Sequence, residues 1–425
     1  MSYKKIFLNS KNPAKSSYLW NAFAAMLFAL QSAFMLIIIT RTNGLDDAGI
    51  FSIAYAVASL MSFIGEFGVR KYQVSDVNEI HGFTDYYTFK LISCVGMIIA
   101  CALYSVYGLF INGYTIKKFL VVVTICLIKL ADTFVEVFHG RFQQKGRLDV
   151  GAKCDIFRVV IGVSSCIISL TTTHDLLLSC VIWLIAVVFA VLVSTLAVAP
   201  EFCEIKIKSS YAAIRHIFIE CFPIFIGSFL LIYVGNAPKY AIDAIMDDES
   251  QACYGFIFMP VFVISLLANF ILNPILVDLS KAWAEKDYKT FDSRIARQAA
   301  IILGLTVLAI VVALTIGCPV LGKMYNTDLS SYRYELSILM IGGGMLAIAN
   351  FINVIVTVIR YQKYLLIGYI LVSAAAAALS NIFVSKSGLT GAAILYTSLM
   401  SLLGISFTVI FLVCRKKAIR KRETE

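Results

Sequence analysis

Four ionisable residues in an otherwise apolar stretch, Lys129, Asp132, Glu136 and His139, stand three, four and three positions apart. On an α-helix that spacing puts all four on one stripe. Asp155 and Arg158, again three apart, occupy the next apolar stretch, and Glu66 closes an earlier one. An ionised side chain in hydrocarbon costs several kcal/mol unless it is paired or faces water, so the stripe must point into a bundle. Glu66, Lys129, Asp132, Glu136 and Arg158 are therefore expected to line a polar funnel at the inner mouth of that bundle, a setting suited to an anionic lipid headgroup. The competing reading is that Arg158 simply neutralises Asp132 or Glu136 so that the chain can fold, because buried charges are usually paired.

Other polar positions are sparser. Glu220 lies one turn before Pro223, which lacks a backbone donor and predicts an interruption, or a tolerated kink, in its helix. Asn269, Asn273 and Pro274, and Gly342, Gly343 and Gly344 with Asn350 and Asn353, read the same way, as hinges or as amides that hold helices together. Gly162, Ser164, Ser165 and the run 374–378 predict close helix packing. The eleven cysteines lie mostly inside apolar runs without paired spacing, and the four histidines are scattered, so neither disulfides nor a metal site is expected.

The elements that must carry these residues follow from composition. Of 425 residues, 60% are hydrophobic and 15% charged, against about 25% charged in a soluble domain. Apolar runs long enough to span a bilayer fall near 18–39, 48–69, 91–111, 116–138, 154–171 and 176–199, then near 217–236, 251–277, 298–317, 335–357, 364–384 and 390–414. The expected fold is an all-α integral membrane protein of twelve transmembrane helices in two six-helix bundles. The bundles are 18–199 and 217–414, flanked by a segment 1–17, a linker 200–216 and a basic tail 415–425. The first run lacks a small-residue cleavage site and reads as an uncleaved span. Most of the 36 Lys and Arg sit in alternating connections, beginning with the amino-terminal segment and ending with the tail. Positive charge stays on the cytoplasmic side during insertion, so both termini are expected there. The net charge of +10 follows from that bias, with juxtamembrane cations facing anionic lipid and no nucleic-acid partner implied.

The two halves echo each other faintly. Arg41 precedes Asp46 and Asp47 and an aromatic apolar helix, and Lys239 precedes Asp247, Asp248 and Glu249 and then Tyr254, Gly255 and Phe256. Turn chemistry alone could give that pattern. The stretch Asn236-Ala237-Pro238-Lys239-Tyr240-Ala241-Ile242-Asp243, followed by the acidic turn and Tyr254-Gly255, resembles the outer end of the seventh helix in polysaccharide repeat-unit flippases of the multidrug/oligosaccharidyl-lipid/polysaccharide exporter superfamily. Gly65-Glu66-Phe67-Gly68-Val69 resembles that family's acidic-aromatic-glycine signature at the end of the second helix. The chain departs from the family in a ragged second-helix motif, in Lys for the commoner Arg at 239, and in lacking a sodium-site cluster.

That resemblance implies a transporter in the bacterial inner membrane that carries an undecaprenyl-diphosphate-linked oligosaccharide from inner to outer leaflet by alternating access, for O-antigen or capsule. Arg41, Lys239 and Asp243 join the funnel residues as substrate-binding candidates, and a polymerase and glycosyltransferases of the same pathway are the implied partners. No cofactor is implied. The sequence holds no phosphate-cradling loop, nucleophile elbow or metal motif, so an enzyme is not expected. A polymerase would need a sizeable outer loop, and the longest here, Cys318 to Tyr334, has Asp328 as its single acid. A multidrug exporter of the same superfamily is the nearer rival. Acids line such cavities for cationic drugs, whereas Lys129 and Arg158 favour an anionic cargo.

Overall fold

The computed structural model describes residues 4–10, 12–76 and 79–424, with side chains described except at 265–278 and 421–424. Among the described residues the regular structure is helical. In chain order the helices are α1 (Lys4–Leu8), α2 (Pro13–Asn43), α3 (Leu45–Glu66), α4 (Val69–Ser75), α5 (Phe83–Phe110), α6 (Ile116–Gln144), α7 (Leu148–Thr173), α8 (Leu176–Val191), α9 (Tyr211–Ile245), α10 (Asp248–Ala284), α11 (Tyr288–Val312), α12 (Cys318–Tyr325) and α13 (Arg333–Val358). The last helical stretch breaks at Ser387 and Gly388 into α14 (365–386) and α15 (389–424), where Gly388 takes φ 54°, a left-handed value that favours glycine.

Among the described residues nine helical segments are long and apolar enough to cross a membrane. The α6 helix falls outside that set because Lys129, Asp132 and Glu136 interrupt its apolar run. Its charges sit inside an otherwise spanning helix, which is what makes them informative.

The chain divides into two compact units, Met1–Phe229 and Leu230–Glu425. In the first, α3 packs on α6, α5 and α2, and α7 packs on α2 and α8. Small residues such as Ala48, Gly49, Ala54, Ala56 and Ala58 bury α3 in the centre. Outer faces, for example Ile92, Val95, Ile99 and Leu103 of α5, remain exposed and apolar, as lipid contact requires. At Gly162 a Cβ would lie 2.7 Å from the Trp183 indole nitrogen and 2.9 Å from Val187, the close packing expected there. Gly162→Ala is predicted to cost about 1–3 kcal/mol through overpacking, read as a lower thermal midpoint of the detergent-solubilised protein. An unchanged midpoint would refute the tight α7–α8 contact.

Two pairs of alternatives are decided. Pro223 does not interrupt its helix, since α9 runs unbroken from Tyr211 to Ile245; a proline costs one backbone bond, which a packed spanning helix tolerates. Gly342, Gly343 and Gly344 lie inside the continuous helix α13 and are no hinge. A Cβ at Gly342 would meet Tyr396, and one at Gly343 would meet Val261 and Ile264, so these glycines serve close approach in the second unit. There α13 packs on α10, α11 and the last helices, and Asn353 Nδ2 donates to the Tyr369 hydroxyl at 3.2 Å. The side chains of Asn269, Asn273 and Pro274 lie outside the described residues.

Candidate functional site

The site begins where α3 ends. Phe67 and Gly68 both take left-handed φ, 47° and 69°, which stops α3 at Glu66 and turns α4 away from it. Glycine does this freely; for phenylalanine it costs energy, offset by burial of the Phe67 ring, stacked on Phe225 at 4.5 Å. The freed carbonyls of α3 are satisfied from α5. Lys90, fully buried, donates to the Gly65 oxygen at 2.9 Å and the Glu66 oxygen at 3.3 Å, and Ser93 Oγ donates to Gly65 at 2.7 Å. A cation at a helix carboxyl end also meets the negative pole of its dipole.

Beside this break the α6 stripe faces inward. Lys129, Asp132, Thr133, Glu136 and His139 line one cavity of about 300 Å³ with Ser62 and Glu66 of α3, Arg70 of α4, Asp155 and Arg158 of α7, and Asn21 and Phe28 of α2. The five funnel residues are thus brought together. Arg158, 2% exposed, holds Asp132 through Nε at 2.9 Å and Asp155 through Nη2 at 2.6 Å. Asp155 also meets His139 Nδ1 at 3.3 Å, and Lys129 Nζ reaches Asp132 at 3.5 Å. A ladder of nitrogen groups alternating with carboxylates therefore runs Lys129, Asp132, Arg158, Asp155, His139. Lys129 further lies 4.7 Å over the Tyr55 ring, and Arg158 5.7 Å over Phe28. Arg158 is both paired and part of a cavity wall, so the two readings of this residue coincide.

Pairing changes the electrostatics. The wall carries the cations Arg70, Lys129 and Arg158 against the carboxylates Glu66, Asp132, Glu136 and Asp155, so it is not net cationic. Lys129 and Arg158 are both engaged in the ladder, with Arg158 Nη1 left without a hydrogen-bond partner. A second cavity of about 510 Å³ shares Asn21, Glu66, Arg70 and Glu136 with the first and adds Lys71 and Gln143. Arg70 is the cation common to both, and its guanidinium meets Gln143 Oε1 at 3.5 Å. Glu136 faces Lys90 at 3.9 Å.

Sequence reasoning missed Arg70 and Lys90 as site residues by counting both among loop charges. Capping by Gly82 and Asp85 starts α5 at Phe83, so Lys90 is intrahelical; the left-handed pair at 67–68 returns Arg70 to the cavity. Glycine in Gly65-Glu66-Phe67-Gly68 was the readable signal for that turn.

The other three candidates lie elsewhere. Arg41 is in the last turn of α2, roughly 30 Å along the helix from Asn21 by its rise. At that end Asn43 bridges Asp47 and the His174 carbonyl at 2.9 and 2.8 Å, and Lys117 pairs with Asp47. Lys239 and the buried Asp243 belong to the second unit, where Lys239 Nζ sits 5.1 Å over the Phe258 ring. Among the described residues no group of three or more His, Cys, Asp and Glu is placed to hold a metal ion. All eleven cysteines are free thiols.

Comparison with known proteins places this geometry. Residues 15–280 match the model of a family described as polysaccharide biosynthesis protein. Solved structures are similar in fold. An inward-facing multidrug resistance MATE family transporter of the MOP superfamily matches at TM-score 0.68 and 12% identity, covering 93% of this chain and 96% of its own. The lipid II flippase MurJ in an inward closed conformation matches at 0.69 and 14%, covering 95% and 90%. The Vibrio cholerae MATE transporter VcmN in its bent form matches at 0.56 and 11%, covering 95% and 97%. No curated protein matches the sequence. The chain is a multi-pass membrane protein with the MOP transporter fold, and it belongs to the polysaccharide biosynthesis protein family.

Proposed function

We propose that the chain carries an undecaprenyl-diphosphate-linked oligosaccharide repeat unit from the inner to the outer leaflet of a bacterial inner membrane, by alternating access, for O-antigen or capsule synthesis. It does so as twelve spans in two six-helix bundles, 18–199 and 217–414, with 1–17, the linker 200–216 and the tail 415–425 in the cytoplasm. The observation that carries this reading is the pair of charge-lined cavities, sharing Asn21, Glu66, Arg70 and Glu136, inside a unit whose outer surface is apolar. Sugars present many hydroxyls, which Glu66 and Glu136 accept and which Asn21 and Gln143 both accept and donate to. A diphosphate needs donors at headgroup level, and Arg70 with Lys71 supplies them, Arg70 by a planar fork matched to phosphate oxygens. Lys129, Asp132 and Arg158 form the rigid wall behind. Arg41, Lys239 and Asp243 act later on the path, nearer the outer leaflet.

The family shared with polysaccharide biosynthesis proteins and the fold shared with a lipid II flippase support a lipid-linked cargo. Glycosyltransferases that build the repeat and a polymerase that consumes it are the partners this role requires.

One observation favours the rival. Four carboxylates in the cavity wall suit a cationic drug, as in a multidrug exporter. Deleting the gene separates the two. Loss of surface polysaccharide with accumulation of the lipid-linked repeat on the cytoplasmic face, restored by the wild-type chain, is the expected result. Intact polysaccharide together with heightened sensitivity to cationic drugs would overturn the flippase reading in favour of the exporter.

A further inference from the structure

Away from the cavity, two histidines from distant parts of the first unit meet. His81 Nε2 lies 2.9 Å from His216 Nδ1, with ring centroids 5.0 Å apart. His81 precedes α5 and His216 rides on the opening turns of α9. Neither ring is buried.

His81 is held in place from below. The Asp76 carboxylate accepts the backbone N–H of Ile80 at 2.9 Å and of His81 at 3.1 Å, and the Tyr86 hydroxyl at 2.9 Å. Partial burial works to raise the Asp76 pKa, but these donors outweigh it and keep the carboxyl below its ordinary range. The Tyr86 ring packs edge-on against the His81 ring at 6.0 Å. A second tie between the same two elements, Ser209 Oγ donating to Asp85 at 2.5 Å, fixes the approach of the chain entering α9.

We propose that His81 and His216 form a two-imidazole site for a divalent transition metal, represented by Zn²⁺. A metal bonded to two imidazole nitrogens at about 2.0–2.1 Å holds those nitrogens roughly 3.0–3.4 Å apart, so the observed pair needs to open by a few tenths of an ångström and each exposed ring to turn until the two lone pairs converge on the ion. Without metal the two rings share one N–H···N bond. On binding, that proton moves to the other nitrogen of its own ring, and both lone pairs face the ion with no change of oxidation state. Among the described residues no larger cluster of ligating side chains is present, so water completes the coordination shell and the site loads and empties reversibly. Imidazole pairs of this kind suit zinc, copper and nickel rather than the hard ions calcium and magnesium.

Such an ion would staple the segment before α5 to α9, the helix that belongs to the first unit up to Phe229 and to the second from Leu230. It would act as a brake on any motion of the amino-terminal half of α9.

Calorimetric titration of Zn²⁺ into the untagged full-length protein in detergent tests this. About one equivalent is expected to bind. His81→Ala and His216→Ala should each weaken that binding by at least about tenfold, the loss typical even of an outer-shell partner, while His174→Ala leaves it unchanged. Metal-free melting temperatures equal to wild type would show that the variants fold. Wild-type Zn²⁺ affinity in both His81→Ala and His216→Ala, or no binding to the wild-type chain, would overturn the assignment.

Discussion

Arg158→Ala is expected to remove most surface polysaccharide while the chain still reaches the membrane, and to lower its thermal midpoint sharply. Both effects have one cause. The guanidinium is buried and bridges Asp132 and Asp155, so its removal leaves two largely buried carboxylates without their shared cation. Breaking a buried pair in this way costs about 3–5 kcal/mol, because the orphaned charge keeps its desolvation penalty. Arg158→Lys keeps the charge but replaces the fork with a single ammonium, which cannot hold Nε and Nη2 contacts together; an intermediate loss is expected. Lys129→Ala should be milder than Arg158→Ala, since Lys129 makes a single, longer ion pair, to Asp132 at 3.5 Å, besides its place over the Tyr55 ring. Polysaccharide output, protein level and melting temperature measured on the three variants decide the matter. Normal output from Arg158→Ala would remove the ladder from the transport mechanism.

The helical stretches and the α6 stripe were readable from sequence because hydropathy and a 3.6-residue period are local properties. Lys129, Asp132, Glu136 and His139 share a face by spacing alone, and Glu66 joined them because it ends its apolar run. Pairing was not readable. Whether Arg158 meets Asp132, Asp155 or Glu136 depends on how α6 and α7 are set against each other, and that is decided by contacts far apart in sequence, such as the packing of both helices on α8. The consequence is a wall whose cations Lys129 and Arg158 are ion-paired as well as facing the cavity. Arg70 is the cation that lines both cavities. Lys90 and Arg70 escaped for a different reason: hydropathy assigns charges at the edge of an apolar run to the loop, and here α5 begins eight residues before the expected 91. The Phe67 conformation depends on Phe225, more than 150 positions away, which no local reading supplies.

Lys90→Met carries the second large expected effect, and it tests whether the break after α3 is part of the site. Methionine keeps the apolar stem of lysine and removes the three donors. The Glu66 carbonyl then loses its 3.3 Å contact, and Gly65 keeps only Ser93. A buried acceptor left unsatisfied costs about 1–3 kcal/mol. Glu136, 3.9 Å away, loses its paired cation at the same moment, so transport should fail even where the chain is still folded. If that second term is real, Glu136→Gln should partly rescue Lys90→Met, because the amide needs no counter-charge. The double variant is then expected to be more stable than the sum of the single effects by about 0.5–3 kcal/mol, the range for residues in contact. Strict additivity in melting experiments would show that Lys90 serves the α3 carbonyls alone. A rescued fold that still does not transport would support direct contact of the Glu136 carboxylate, which lines both cavities, with the cargo.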